Sequence, residues 1–373
     1  MRYKYPLARP YVGYEELQEI KKVFSSGWLT QGVYVEKFEN EVAKYVKSKY
    51  AIAVTSCTAA LYLCIKALNI KDGYVIAPDF TYPSTANVII ENRLKPLLLD
   101  VDENCRLSIH WFKDALLHYK HNIKAIILVH PFGHALNVFE YKKLLSEYGL
   151  SIPIIEDAAT ALGSINNGYY AGNMSEFGCF SFHPRKIITT GEGGMITLND
   201  EDLYEKIITL REDGRNRKGD FVTTSLNFRM TDIQAAIGLV QLKKIEKKID
   251  IRRKLAEMYH KLFNEMFPSI IPLKEEEKCR STYQSYIIRL PRYFEKYQEY
   301  IIHTMREKYS IEVQIGTYAL HMEPAFKQFI IYPLPMSELL RRTTFTLPLY
   351  EELTYEDLLY IVESFKKVCE ELL

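Results

Sequence analysis

The stretch from Ile154 to Asn199, IIEDAATALGSINNGYYAGNMSEFGCFSFHPRKIITTGEGGMITLN, limits the possible folds of this chain most. An apolar run, Ile152 to Ile155, leads into an acidic pair, Glu156 and Asp157. A short apolar run bounded in this way reads as a buried strand of an α/β sheet. Ligands of such sheets lie beyond the carboxyl ends of the strands. Asp157 is therefore expected beside a ligand crevice. Cys179-Phe-Ser-Phe-His-Pro-Arg-Lys186 follows, then a flexible Gly191-Glu-Gly-Gly194 and a strand-like Met195 to Leu198. An acid and a lysine on sheet edges facing one crevice suit pyridoxal phosphate (PLP). The lysine amine forms a Schiff base with its aldehyde, and the acid pairs with the protonated pyridine nitrogen, which keeps the ring an electron sink. Taken singly, an Asp after a strand is more often a helix cap, and a lone Lys a solvated charge. The ordered combination carries the argument.

The rest of the first half repeats the strand-then-helix pattern, the signature of an α/β sheet. Strands are expected at Ala51–Val54, Tyr74–Pro78, Leu97–Asp100 and Ala125–Val129, and helices over Tyr14–Phe24, Val33–Lys47 and Ala59–Leu68. Thr55-Ser56-Cys57-Thr58 lies between a strand and a helix, so backbone N–H groups at that helix start form a natural phosphate cradle. Ser56 or Thr58 as a simple N-cap is the plainer reading. His130 ends its strand on the same side as Asp157. Thr231 with Gln234 makes a capping box for a long helix with no proline before Pro268. That helix is expected to lead, near residue 250, from a first domain to a smaller one. A strand at Tyr286–Leu290 and helices from Lys296 and Tyr355 are expected in the second.

Composition narrows the function classes. The chain has 373 residues, a net charge of +1 and 25% charged residues. No block of like charges recommends nucleic acid or an anionic membrane as partner. The cysteines at 57, 64, 105, 179, 279 and 369 form no CxxC and no zinc spacing with histidine, so reduced buried thiols and no metal are expected. With no charged leader and no apolar run of spanning length, a soluble cytoplasmic protein is expected.

Four motifs stand in order: EDAA at 156–159, SFHPxK at 181–186, TTGEGG at 189–194 and LNFRMTDIQAAIG at 226–238. On these the chain resembles the DegT group of sugar aminotransferases, fold-type I PLP enzymes, from about residue 6 to the C-terminus. The resemblance implies an α/β fold: a large PLP-binding domain over 1–250, with a mostly parallel mixed sheet between helices, and a smaller α+β domain over 251–373. It implies transfer of an amino group from glutamate to a keto group of a nucleotide-linked sugar, in surface glycan or secondary metabolite biosynthesis. A small phosphorylated ketone as acceptor, or a non-catalytic regulatory member, is the alternative.

The resemblance also assigns residues. Lys186 and Asp157 are the catalytic pair. Backbone N–H groups of Cys57 and Thr58, with Ser181, would hold the phosphate. Tyr82 would stack on the ring, with Phe80 its structural competitor. Thr160 falls near the ring hydroxyl, where the family more often has Gln or His. The family usually has Gly where this chain has Cys57, and a positive φ there would be strained. The loop 25–32, with Trp28, Thr30 and Gln31, would border the site. His183, Arg185, Tyr318 and His321 are candidate substrate contacts, with local packing or an interdomain salt bridge the plainer role of the first two. Asn227 would reach the PLP phosphate of the neighbouring subunit in a homodimer with shared active sites.

Overall fold

The computed structural model describes residues 3–372. Met1, Arg2 and Leu373, at the outer ends of the two expected domains, lie outside the described residues. A seven-stranded sheet runs in the spatial order Tyr50–Val54, Gly194–Leu198, Phe177–Ser181, Ile154–Asp157, Ile123–Val129, Tyr74–Pro78 and Lys95–Leu99. Only Gly194–Leu198 runs against its neighbours; the other pairings are parallel. The sheet is therefore mixed and mostly parallel, as expected.

Both faces of the sheet are buried. Successive residues of a strand point to opposite faces. Ala51, Ala53, Ile76, Leu97 and Ile126 join one apolar cluster, while Ile52, Val54, Val75, Leu98 and Ile127 join another. This explains why these strands are continuous apolar runs rather than alternating ones.

The register brings the motifs to one edge. Val129 lies opposite Asp157, Asp157 opposite Cys179, Ser181 opposite Gly194, and Gly194 opposite Val54. The segment from Phe182 to Gly193 joins two antiparallel strands at that edge, so Lys186 projects from the same side as Asp157.

A four-stranded antiparallel sheet, ordered Ile271–Pro272, Tyr286–Arg289, Thr344–Leu347 and Gln314–Ile315, forms the second layer system. Helices Ile245–Met266, Gln298–Tyr309 and Tyr355–Glu370 supply much of its core. Tyr5 belongs to that core too, and its hydroxyl donates to Asp357 at 2.9 Å.

One expectation needs correction. The long helix after Thr231 is two, Asp232–Lys243 and Ile245–Met266. The capping box forms as read, with both of its bonds present. At Lys244 the N–H bonds the carbonyl of Gln241 at 3.1 Å, a tightened i→i−3 bond that ends the first helix. No described helix is long and apolar enough to cross a membrane.

Candidate active site

Beyond the strand ends lies a cleft of about 850 Å³. Cys57, Thr58, Tyr82, Asp157, Thr160, Ser181, His183, Arg185 and Lys186 all line it. Residues from five separate strand ends or the turns after them converge there, which suits a site at a sheet edge.

Asp157 ends its strand and is buried. Its Oδ2 accepts a 2.8 Å hydrogen bond from the Thr85 hydroxyl, and its Oδ1 accepts one from the Ala159 N–H at 3.2 Å. Burial raises its pKa, while the Thr85 and Ala159 donors and the Lys186 charge work the other way. A carboxylate held like this gains from a cationic N–H placed opposite it. Lys186 is half-buried in the cleft. Burial lowers its pKa, against the pull of Cys57 and Asp157. A lysine pulled down in this way is more readily neutral, the state that a nucleophile or base requires.

The expected phosphate cradle corresponds to the start of the Cys57–Ala67 helix. Ser56 is its N-cap and accepts from the Ala59 N–H at 3.1 Å, leaving first-turn N–H groups free of intrahelical bonds. Gly194, the last residue of TTGEGG, passes against this helix start. A Cβ there would collide with the Ser56 carbonyl and the Cys57 nitrogen. Cys57 lies outside the positive-φ residues, so its side chain adds no backbone strain. Its thiol is buried and pushed up in pKa by that burial and by Asp157. An acid, an amine and an anion-binding helix start around one cleft fit the donor set that PLP requires.

The family model for "DegT/DnrJ/EryC1/StrS aminotransferase family" matches residues 10–366. The chain belongs to this family. Transamination with pyridoxal phosphate, read from the motifs, follows from that membership. Among its relatives, the uncharacterized protein MJ1066 of Methanocaldococcus jannaschii is 34% identical, over 98% of this chain and 98% of the other. GDP-perosamine synthase of Escherichia coli O157:H7 is 32% identical, over 97% and 98%. Among solved structures, the PLP form of Spr1654 from Streptococcus pneumoniae superposes with a TM-score of 0.94 at 27% identity, over 100% of both chains.

Around the enzyme's cleft, the remaining sequence candidates divide. Tyr82 is 64% exposed, its ring edge-on to Tyr318 at 6.1 Å, whereas Phe80 is buried in an apolar cluster. Thr160 donates to the His130 carbonyl at 2.8 Å. His130 lines the cleft, but both ring nitrogens are engaged: Nδ1 accepts from the Leu136 N–H and Nε2 meets Glu156, each at 2.8 Å. His183 Nδ1 accepts from the Arg185 N–H at 3.1 Å, and its Nε2 lies 3.9 Å from Glu192.

Trp28, Thr30, Gln31, Tyr318, His321 and Asn227 do not line this cleft within one chain. Gln31 bonds the Met230 carbonyl, Trp28 and Gln31 border a second cavity, and Thr30 pairs with Thr231. His321 Nδ1 pairs with the buried Asp79 at 2.7 Å. Asn227 is exposed, and its Oδ1 accepts from the Arg229 N–H at 3.1 Å.

Sequence reasoning missed Thr85 as the partner of Asp157, and Glu192 and Thr317 as cleft residues. Glu192 stood inside a quoted motif, and Thr317 beside the quoted Tyr318. The Thr85 bond spans 72 positions and has no local signal.

Proposed function

We propose that this enzyme moves an amino group from glutamate to a keto group of a nucleotide-linked sugar. The convergence of Lys186 and Asp157 on one cleft carries the assignment of their roles. The 32% identity to a GDP-perosamine synthase supports the sugar acceptor. When bound, PLP supplies the aldehyde and the electron sink.

The chain's own groups have these parts. Lys186 would hold the cofactor through its amine and, when neutral, would move a proton at the substrate carbon that bears the amino group. Asp157, oriented by Thr85, keeps the pyridine nitrogen protonated. The Cys57 and Thr58 N–H groups and Ser181 bind the phosphate, Tyr82 covers the ring, and Thr160 borders the ring hydroxyl. Half-buried His183 and exposed Arg185 line the cleft and would face the substrate. Trp28, Thr30, Tyr318 and His321, which do not line the cleft within one chain, are assigned to the substrate in this reading.

The enzyme acts as a homodimer in this reading, with Asn227 serving the partner's phosphate site. The Trp28 loop is bonded to the Met230–Asp232 segment; Trp28, Leu29 and Val33 expose their side chains, as do Phe221, Val222 and Leu226 in the stretch that leads to Met230. Apolar exposure on this scale supports a protein partner. Residues 1–250 and 251–373 are read as two domains.

Turnover with glutamate on a panel of keto nucleotide sugars, set against small keto phosphates, tests the acceptor. Activity confined to the nucleotide sugars is expected. Activity confined to the small phosphates would overturn it. Lys186→Ala should lose the lysine-linked PLP absorbance and all turnover; retention of either would reject the assignment of Lys186.

A further inference from the structure

Lys186 sits where no regular secondary structure holds it. Residues 182–193 are turns and bends between two strands. Within that segment, the Lys186 N–H donates to the His183 carbonyl at 2.8 Å. The carbonyls of its two neighbours, Arg185 and Ile187, are held from elsewhere: one by the Ile245–Met266 helix and the other through a residue that this helix bonds.

Lys248 of that helix donates through Nζ to the Ile187 carbonyl at 3.2 Å. Arg252, one turn on, donates through Nη1 to the Gln284 carbonyl at 3.2 Å. Gln284 in turn donates through Nε2 to the Arg185 carbonyl. The carbonyls of residues 185 and 187 are thus both tied, directly or through one residue, to two cations on one helix.

Both cations are buried, Lys248 at 5% exposure and Arg252 at 2%. Arg252 has a carboxylate partner, Glu351, at 2.8 Å. Lys248 instead meets neutral oxygens, the Ile187 carbonyl and Gln241 Oε1 at 2.7 Å. Gln241 is itself fixed by its Nε2, which donates to Glu16 at 2.8 Å and to the Tyr11 carbonyl at 2.7 Å. A buried ammonium facing amide oxygens is costly, and an apolar side chain of similar length would fill the space without that cost. Packing alone therefore does not account for Lys248. What a donor adds here is the bond to the Ile187 carbonyl.

We propose that Lys248 and Arg252 are positioning residues for Lys186: they anchor the carbonyls of residues 187 and 185 and so hold the lysine amine at one place in the cleft. A lysine side chain has four rotatable bonds, and where its amine can reach depends on where its backbone is held. The proposal rests on the reading of Lys186 as the amine that links the cofactor and carries the proton.

The test compares Lys248→Met and Gln284→Leu with the wild-type enzyme and with Lys186→Ala. In the holoenzyme, kcat of both anchor variants should fall roughly 30- to 100-fold while KM for each substrate stays within about twofold. The pH midpoint of the PLP absorbance band should move in both, because the amine meets a changed setting. In cofactor-free protein, amides of residues 183–190 should exchange about tenfold faster than in the wild type, with the Ile245–Met266 helix unchanged. If Lys248→Met does not fold, Gln284→Leu decides the matter, since it leaves both buried cations in place. Wild-type kcat, an unmoved absorbance midpoint and unchanged exchange in a folded variant would overturn the proposal alone. A Lys186→Ala enzyme that keeps the lysine-linked absorbance would instead overturn the reading of Lys186 and this proposal with it.

Discussion

The hydroxyl of Thr85 donates a 2.8 Å hydrogen bond to the buried carboxylate of Asp157. The Ala159 N–H bonds the other oxygen, so the side chain is held from both sides and cannot turn away from the cleft. Asp157→Asn removes the charge that holds a pyridinium proton. The half-reaction with glutamate should slow by about 100-fold or more, the scale of losing a preorganised electrostatic partner. Thr85→Val removes one hydrogen bond and should cost about tenfold. Stopped-flow rates check both. A loss below about threefold for Asp157→Asn would remove it from this role.

Arg185 borders the cleft, yet its guanidinium is already engaged. Nη1 donates to Gln314 Oε1 at 3.2 Å, and Nη2 lies 3.8 Å from Glu312. Exposed pairs of this kind contribute little. Arg185→Ala should leave the PLP spectrum intact and change KM for either substrate by less than about threefold, as expected of an ion pair worth ~0–1 kcal/mol. A large rise in KM for one substrate alone would assign the guanidinium to a substrate anion.

Asn227 lies outside its own chain's cleft. A mixed dimer tests whether it serves the partner's. One subunit carries Lys186→Ala and the other Asn227→Glu, whose carboxylate repels phosphate. If Asn227 acts across the interface, one site of the mixed dimer is wholly native and the other carries both defects. The parent homodimers should be nearly inactive, and the mixed dimer should recover about half the wild-type rate, as two-fold symmetry requires. No recovery, with subunit exchange verified, would confine Asn227 to its own subunit.

Burial pulls the Lys248 ammonium down to about 8, with Arg252 and Lys244 acting in the same direction and Glu351 and Glu16 against it. Between about 8 and the ordinary lysine value of 10.5 the folded state therefore binds fewer protons than the unfolded chain. Stability contributed at this position then rises with pH. Across that window the wild type should gain on Lys248→Met by up to ~1.4 kcal/mol per pH unit, with a flat difference below it. Denaturant unfolding of both proteins over the range is the measurement. Parallel stability curves would show that Lys248 keeps its proton throughout.

Local patterning in the sequence was enough to read six of the seven strands of the large sheet, all but Phe177–Ser181, and the turns after them. Tyr74–Pro78 is a strand as read, and the Thr231–Gln234 capping box forms. These features are local: periodicity, capping and apolar runs act over a few residues, so neighbouring positions carry the information. The motif order was also enough to name the family. Tertiary structure decided which residues share a cleft and what holds them. It brought Thr85 to Asp157, gave both ring nitrogens of His130 structural partners, and drew His321 onto Asp79. It broke one expected helix at Lys244 and brought Lys248 to the loop of Lys186, 61 positions away from the carbonyl that it bonds. Such bonds depend on how elements pack, and a buried donor finds its acceptor only once the chain has closed around both.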